Sequence, residues 1–284
     1  MSKLALYVCD LDGTLLRSDA TLSEFSRDGL CQVLAAGIRV TVASARGAPA
    51  MRSLLAGVPL ELPVIELNGA FVTELGSGHH LVANTLAAEE ACAAMEVIAE
   101  TGIDPVLTTW DGTKDRVHFR ELANESMSFY ITEKQAYGDE RLAPECKDLL
   151  GVATRERVAQ IALFVPDSEA SDLTRAIERA VGPEVIVHCQ DNSYCPGSAE
   201  ILVQHRMAEK GAAIPALLEA CDAVDAHLIT CGDNLNDLSM FGVAAHSIAP
   251  ANAQPQVLES ATEVVGSNDE DGIVRHLRTF HAAL

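Results

Sequence analysis

Residues 4–16 have the sequence LALYVCDLDGTLL, and this stretch decides the fold. Its first part, Leu4 to Cys9, is a short apolar run whose length suits one buried strand and not a helix. Asp10 and Asp12 follow two residues apart, so both side chains point to the same side of an extended chain, and Gly13 allows the chain to turn away. Because open α/β sheets bind ligands at the carboxyl ends of their strands, we expect the two carboxylates to face such an edge.

The spacing of this carboxylate pair predicts a metal site. Two carboxylates held close together repel each other unless a cation or a shared proton relieves the charge. Mg²⁺ is a hard cation that prefers oxygen ligands, so Mg²⁺ is the predicted cofactor. The alternative interpretation, for the motif taken alone, is an Asp-rich turn that only ends the strand.

Composition limits the partners of the chain. It has 284 residues, of which 48% are hydrophobic and 4% aromatic, and a formal net charge of −21. Such a charge repels nucleic acid and anionic membranes, so we expect neither as a partner. The oligomeric state is left open between a monomer and a homodimer. The eight cysteines have no metal-ligand spacing, which indicates small buried hydrophobes in a reducing compartment. With no signal-peptide core and no apolar run near the ~18 residues of a membrane span, the expected location is cytoplasmic.

The first third of the chain alternates predicted strands and helices. This rhythm is typical of a doubly wound parallel (Rossmann-like) sheet, in which the carboxyl ends of the strands meet at one edge. The predicted strands are residues 4–9, 38–43 and 63–67, and the predicted helices are residues 23–36 and 49–55.

The rhythm changes near residue 84 and resumes near residue 189. Between them the pattern predicts an inserted α+β cap domain over residues 84–188, and a catalytic core made of residues 1–83 and 189–284. A strand at 200–203 is assigned to the core. His79 and His80 lie in a Gly- and Ser-containing stretch and are expected to be solvated.

A second acidic cluster, GDNLNDLSM, occupies residues 232–240. Asp233 follows an apolar strand, Asp237 comes one helical turn later, and Asn236 lies between them. The set could complete a metal site begun at Asp10, although helix N-capping explains the same residue types. A calcium loop is excluded because Leu235 takes the third ligand position.

Two further residues could bind phosphate. Ser44 follows an apolar strand, and Lys210 stands at a predicted helix start, where a cation is unfavourable unless an anion is near. Taken alone, Ser44 could equally be an ordinary serine in a turn, and Lys210 could be a solvated surface lysine. Together with the carboxylates they suit phosphoryl transfer to a carboxylate nucleophile.

These elements resemble a known family. DLDGTLL, a strand ending at Ser44, Lys210-Gly211 and GDNLND resemble, in that order, the four motifs of the haloacid dehalogenase-like (HAD) hydrolases. The large insertion resembles the cap of the Cof-like sugar-phosphatase branch. Further resemblances are Asn68-Gly69, Asn252-Ala253 and the segment 268–272.

The resemblance implies roles for the two aspartates of the first motif. Asp10 would attack phosphorus and form an aspartyl-phosphate. Asp12 would protonate the leaving alcohol, then activate water, and give a backbone carbonyl to Mg²⁺. Asp233 would be the other carboxylate on the metal.

The resemblance also implies a phosphate-binding set. Ser44 and Lys210 would hold the phosphoryl oxygens and Asn236 would line the same site. Asp237 would support Asp233 or Lys210. Gly13, Thr14 and Arg46 complete the supporting residues, and Arg46 is expected either to touch substrate or to brace the sheet edge.

Residues of the cap are candidates for contact with the leaving group. Trp110, Asp111 and Lys114 lie on a predicted hairpin, and a second set follows near the return to the core: Asn192, Ser193 and Tyr194. No motif among them identifies a substrate.

The predicted function is a Mg²⁺-dependent phosphatase acting on a small phosphorylated metabolite, a sugar or polyol phosphate. A phosphomutase shares the aspartyl-phosphate and is one alternative. A catalytically silent metabolite-binding protein on the same fold is another.

Overall fold

A computed structural model describes residues 5–192 and 195–282 of the chain, which divides into two units. The first unit extends to Val82 and resumes at Glu209. The second is the contiguous segment between them, Ala83–Ala208.

A five-stranded parallel sheet organises the first unit, in the order β14-β13-β12-β1-β2. β1 lies between β12 and β2, and its nearly continuous apolar sequence matches a parallel strand that is buried on both faces. The strands are β1 (Ala5–Cys9), β2 (Arg39–Val42), β12 (His227–Cys231), β13 (His246–Pro250) and β14 (Glu263–Val265).

Helices cover both faces of this sheet. Tyr7 and Cys9 join a core that includes residues of α1 and α10, whereas Leu6 and Val8 join a second core that includes residues of α7. This alternation confirms the predicted doubly wound fold. The helices are α1 (Glu24–Ala35), α2 (Ala48–Leu54), α7 (Lys210–Ala220), α8 (Leu238–Phe241), α9 (Pro255–Ser260) and α10 (Gly272–Ala282).

A small second sheet adjoins the first through a parallel bridge between Ala43 and Ile65. It contains β3 (Val64–Glu66), β4 (Phe71–Thr73) and β5 (His80–Ala83). The expectation of a solvated turn was wrong for His80, which begins β5 and has a side chain only 5% exposed. Its ring stacks on Phe71, with centroids 3.9 Å apart, and this apolar partner explains the burial.

The second unit is an α+β domain. Its six-stranded sheet has the order β10-β11-β9-β6-β7-β8, with antiparallel pairs except for the parallel pair β7–β8. The strands are β6 (Val106–Trp110), β7 (Asp115–His118), β8 (Leu142–Ala143), β9 (Arg157–Pro166), β10 (Val185–Asp191) and β11 (Ser198–His205), and the helices are α3 (Ala88–Thr101), α4 (Glu125–Ala136), α5 (Leu149–Arg155) and α6 (Asp167–Ala180).

The return boundary differs from the prediction. The sequence placed it between 188 and 189, and the structure places it between Ala208 and Glu209. The reason is β11, which is a strand of the second unit and not of the core. It pairs antiparallel with both β10 and β9, so the chain leaves this sheet only after His205.

We find no helix in the described part of the chain with the length and apolar character that crossing a membrane requires. The cytoplasmic location stays a prediction.

Candidate active site

Asp10 directly follows β1, and Asp233 comes two residues after β12, the strand that pairs with β1. Because the two strands are parallel, both carboxylates lie at the same edge of the sheet. The Asp10 side chain is nearly inaccessible, at 5% exposure. Burial raises the pKa of the Asp10 carboxyl well above its usual range, and the nearby carboxylates raise it further against the opposing charge of Lys210. The site thus concentrates negative charge away from water.

Lys210 supplies the compensating cation. It is the first residue of α7 and is buried, and its Nζ lies 2.6 Å from Asp10 Oδ1 and 2.7 Å from Asp237 Oδ1. Burial alone would lower the pKa of Lys210, but attraction to the two carboxylates outweighs it and raises that pKa. The lysine is therefore charged throughout the physiological range.

Asp237 ties the loop after β12 to this lysine. It is fully buried, and its Oδ2 accepts hydrogen bonds from the backbone N–H groups of Asp233 at 2.9 Å and Asn234 at 3.0 Å. The sequence offered Asp233 or Lys210 as the group that Asp237 supports. In the structure Asp237 binds both the Asp233 backbone and the lysine.

The turn after β1 contacts Asp233 from the other side. Thr14 Oγ1 donates a hydrogen bond of 2.9 Å to Asp233 Oδ1. Burial, followed by repulsion from Asp237, raises the pKa of Asp233 to about 6, although the Thr14 hydrogen bond opposes this shift.

Three carboxylates form a compact cluster. Oxygen atoms of Asp10, Asp233 and Asp237 lie within 4.8 Å of one another. Like charges held this close are relieved by a cation, and an all-oxygen donor set suits Mg²⁺. The residues therefore fit the predicted metal.

The Asp12 carboxylate binds Arg46. Its two oxygens accept from Arg46 Nε and Nη2, both at 2.8 Å. The Arg46 side chain is 9% exposed and that of Asp12 is 40% exposed. This bidentate pairing fixes the more accessible carboxylate of the DxD motif beside the buried one.

Ser44, Asn68 and Asn236 form a connected polar group. Ser44 is buried, its Oγ accepts from the Arg46 N–H at 3.1 Å, and its carbonyl accepts from the Asn68 N–H at 3.0 Å. Asn236 Nδ2 donates to Asn68 Oδ1 at 3.1 Å. The structure thus links Ser44 and Asn236, two of the three residues predicted to bind phosphate, through Asn68.

Two contributors to this region were not given roles from the sequence. Asn252 Nδ2 donates to the Gly13 carbonyl at 2.8 Å and so supports the turn after β1. Glu66 is a fully buried carboxylate two residues before Asn68. An acidic residue at the end of a third predicted strand, like those after β1 and β12, was the feature that could have identified Glu66.

The cap candidates lie in the second unit. Asp111 Oδ1 accepts from the backbone N–H groups of Thr113 and Lys114, both at 2.9 Å, and thereby closes the turn between β6 and β7. These hydrogen bonds lower the pKa of Asp111. Two of the other candidates, Ser193 and Tyr194, lie outside the described residues.

Comparison with known proteins identifies relatives over nearly the whole chain. The chain is 27% identical to 5-amino-6-(5-phospho-D-ribitylamino)uracil phosphatase YwtE of Bacillus subtilis, with 93% of each protein covered. It is 22% identical to pyridoxal phosphate phosphatase YbhA of Escherichia coli, covering 94% of this chain and 95% of the relative. These names support a phosphatase enzyme.

Solved structures support the fold. The crystal structure of a haloacid dehalogenase-like hydrolase from Bacteroides thetaiotaomicron has a TM-score of 0.79 at 23% identity, covering 98% of this chain and all of that one. The sequence model of the haloacid dehalogenase-like hydrolase family matches residues 7–277 of this chain. The resemblance drawn from the four motifs is confirmed, and the chain belongs to the haloacid dehalogenase-like hydrolase family.

Proposed function

We propose that this chain is a Mg²⁺-dependent phosphatase that hydrolyses phosphate monoesters through an aspartyl-phosphate on Asp10. The observation that carries the proposal is the burial of Asp10 in contact with Lys210, beside two further carboxylates. Lys210 binds Oδ1, so Oδ2 is the atom that we assign to the attack. A buried, positioned carboxylate next to a fixed cation is suited to nucleophilic catalysis on a phosphoryl group.

Two chemical steps follow from this assignment. In the first, Asp10 Oδ2 forms a bond to phosphorus while the bond from phosphorus to the leaving oxygen breaks, and Asp12 gives that oxygen a proton. In the second, water gives a proton to Asp12 and its oxygen forms a bond to phosphorus while the bond from phosphorus to Asp10 Oδ2 breaks. This step releases inorganic phosphate and the Asp10 carboxylate. Arg46, which binds Asp12 in the structure, orients the group that moves the proton.

Asp10, Asp233 and the backbone carbonyl of Asp12 are the groups that would hold Mg²⁺. When bound, the ion would neutralise phosphoryl charge and relieve the repulsion between the carboxylates. Asp237 is instead engaged by Lys210 and by two backbone N–H groups. We assign phosphoryl binding to Ser44, Lys210 and Asn236.

The proposed substrate is a small phosphorylated metabolite, in the first place a sugar or polyol phosphate. The name of the relative YwtE specifies a phosphorylated ribityl chain, which is a polyol. The name of YbhA specifies pyridoxal phosphate, so relatives with similar coverage differ in leaving group. We assign the choice of leaving group to the second unit, in the role of the cap.

The test is phosphate release from an aryl phosphate and from a panel of sugar and polyol phosphates, with Mg²⁺ and with a chelator. We expect release that the chelator abolishes. Asp10→Asn should lower turnover on the order of 10³-fold or more, whereas the matched change at an exposed position, Asp225→Asn, should leave it unchanged.

Other outcomes would replace the proposal. Near-native turnover by a folded Asp10→Asn protein would exclude Asp10 as the nucleophile. Turnover that requires a bisphosphorylated sugar would indicate a phosphomutase. A folded wild-type protein that releases no phosphate from any substrate would indicate a metabolite-binding protein.

A further inference from the structure

Glu66 is a buried carboxylate that the proposed mechanism does not use. It ends β3, and none of its surface is exposed. Its Oε2 accepts a hydrogen bond of 2.5 Å from the backbone N–H of Ala48, and its Oε1 accepts one of 2.6 Å from Thr73 Oγ1. A carboxylate is costly to bury without hydrogen-bond donors, and each oxygen of Glu66 has one.

The neighbouring strands hold this carboxylate from one side. His80 Nδ1 lies 2.8 Å from Thr73 Oγ1 and 3.4 Å from Glu66 Oε1. The imidazole is itself fixed by stacking on Phe71, with an interplanar angle of 5°. The position of the Glu66 side chain is therefore set by β4 and β5.

The other side of Glu66 faces the loop that carries Ser44 and Arg46. The two segments exchange backbone hydrogen bonds at three places: Ser44 N–H to the Ile65 carbonyl at 2.9 Å, Leu67 N–H to the Arg46 carbonyl at 3.2 Å, and Asn68 N–H to the Ser44 carbonyl at 3.0 Å. The Glu66 carboxylate adds a fourth attachment at Ala48, beyond Arg46. The loop is thus held at both ends and in the middle.

We propose that Glu66 is a positioning residue for the loop 44–48, which we term the phosphate loop. Its carboxylate fixes the exit of the loop, and thereby the Ser44 hydroxyl and the Arg46 guanidinium that binds Asp12. A hydrogen bond to an ionised acceptor is stronger than one between neutral groups. The inference rests on the proposed function for the role of Ser44 in binding phosphate.

Glutamine reproduces only part of this arrangement. Both carboxylate oxygens of Glu66 accept hydrogen bonds, from Ala48 and from Thr73. The amide of glutamine has one acceptor oxygen and one NH₂ group. If the oxygen still accepts from the Ala48 N–H, the NH₂ group faces Thr73, whose hydroxyl must turn from donor to acceptor. Glu66→Gln therefore reduces the accepted hydrogen bonds from two to one with almost no change in side-chain volume.

The experiment measures binding of inorganic phosphate to the full chain with Mg²⁺ by isothermal titration calorimetry, which needs no turnover. We expect Glu66→Gln to weaken phosphate binding about tenfold, as loss of a hydrogen bond to a charged group does. Where turnover is measured, KM for an aryl phosphate should rise in parallel. Glu74→Gln is the matched control in the same hairpin, because Glu74 is exposed, and its phosphate affinity should equal that of wild type.

A double-mutant cycle with Ser44→Ala separates positioning from general destabilisation. If Glu66 acts through the loop, its replacement should have little further effect once the Ser44 hydroxyl is gone. Thr73→Val, which removes one donor to the carboxylate, should give a smaller loss in the same direction and replaces Glu66→Gln if that variant does not fold.

Three results would overturn the inference. The first is a phosphate affinity in both Glu66→Gln and Thr73→Val that equals that of the Glu74→Gln control. The second is losses of phosphate affinity for Glu66→Gln and Ser44→Ala that add fully in the double variant. The third is no phosphate binding by the wild-type protein. Phosphate binding that Glu66→Gln weakens, in a protein without turnover, would instead overturn the proposed function and leave the inference standing.

Discussion

Lys210 shows how a single residue determines whether the site can exist. Its ammonium group lies between the carboxylates of Asp10 and Asp237, and all three side chains are at most 5% exposed. Removing one partner of a buried ion pair leaves an uncompensated charge, which costs more than the pair itself contributes. The lysine is therefore both a phosphate ligand in the proposed function and a structural counterion.

Replacing Lys210 with methionine should lower both stability and turnover. We expect the free energy of unfolding to fall by about 3–5 kcal/mol and turnover by roughly 100-fold, the scale on which removal of one electrostatic stabiliser acts. Denaturant unfolding and initial rates measure the two effects. Lys147→Met, at an exposed lysine, should change neither.

A second substitution checks the cause of this destabilisation. Asp237→Asn in the Lys210→Met background removes one of the repelling charges and should recover part of the stability without recovering turnover. Stability losses that simply add in the double variant would contradict the ion-pair explanation.

The turn that follows β1 is the element on which the site depends most. Gly13 has φ +75°, in the left-handed region that favours glycine. A Cβ atom at this position would lie 2.7 Å from Asp233 Cγ. The turn thus needs glycine both for its backbone conformation and for its close approach to the Asp233 carboxylate, a proposed metal ligand.

Gly13→Ala should be more damaging than alanine at another glycine of the same backbone class. Gly37, after α1, has φ +85° but no atom within 4 Å of an added Cβ. Gly37→Ala should therefore cost only the backbone strain, about 1–2 kcal/mol, and keep full turnover. Gly13→Ala should cost about 1–3 kcal/mol more through overpacking and lose turnover. Equal unfolding free energies and equal rates in the two variants would refute the close-approach argument.

Among the strands and helices, those marked by a local sequence pattern were the ones predicted correctly from the sequence. The strands β1, β2 and β12 are apolar runs followed by polar residues, and their parallel pairing placed Asp10 and Asp233 together as expected. β11 was assigned to the wrong unit because its partners, β9 and β10, are known only from the pairing itself. The role of Glu66 depends on donors from β4 and from the phosphate loop, and no local pattern indicates which donors will meet.

The whole molecule carries a formal charge of −21, yet each unit buries a lysine. Among the described residues these are Lys210 in the first unit and Lys134 in the second. Lys134 lies over the Tyr130 ring, 4.4 Å from its centroid. Burial, and then repulsion from Arg141, lower the pKa of Lys134 to about 8, whereas the pKa of Lys210 is raised. The net negative charge of the chain therefore does not determine whether the pKa of a buried lysine is raised or lowered; burial and the charged groups beside the lysine do.

Lys134 predicts a specific pH dependence of stability. In the unfolded chain the lysine releases its proton at about pH 10.4, the value of a free side chain. Between about pH 8 and that value the unfolded state binds more protons than the native state, so the free energy of unfolding rises with pH. Lys134→Met removes this contribution.

The measurement compares Lys134→Met with wild type at pH 7 and pH 10. The difference, the unfolding free energy of the variant minus that of wild type, should fall by up to about 3 kcal/mol from pH 7 to pH 10. Lys147→Met, at an exposed lysine, should keep a constant difference. A constant difference for Lys134→Met as well would show that Lys134 titrates normally in the native state.

The pairing of β1 with β12 also has a consequence for the order of synthesis. Thr14 and Asp233, which meet through a hydrogen bond, are 219 residues apart in the chain. At 5–20 residues per second, a ribosome needs roughly 10 to 40 seconds to pass from one to the other. Throughout that interval β1 is already synthesised but lacks β12, the neighbour that completes its pairing. Asp10, which follows β1, lacks the carboxylates of Asp233 and Asp237. A nascent chain that stops before Asp233 therefore holds the proposed nucleophile but not the completed site, so the proposed chemistry becomes available only near the end of translation.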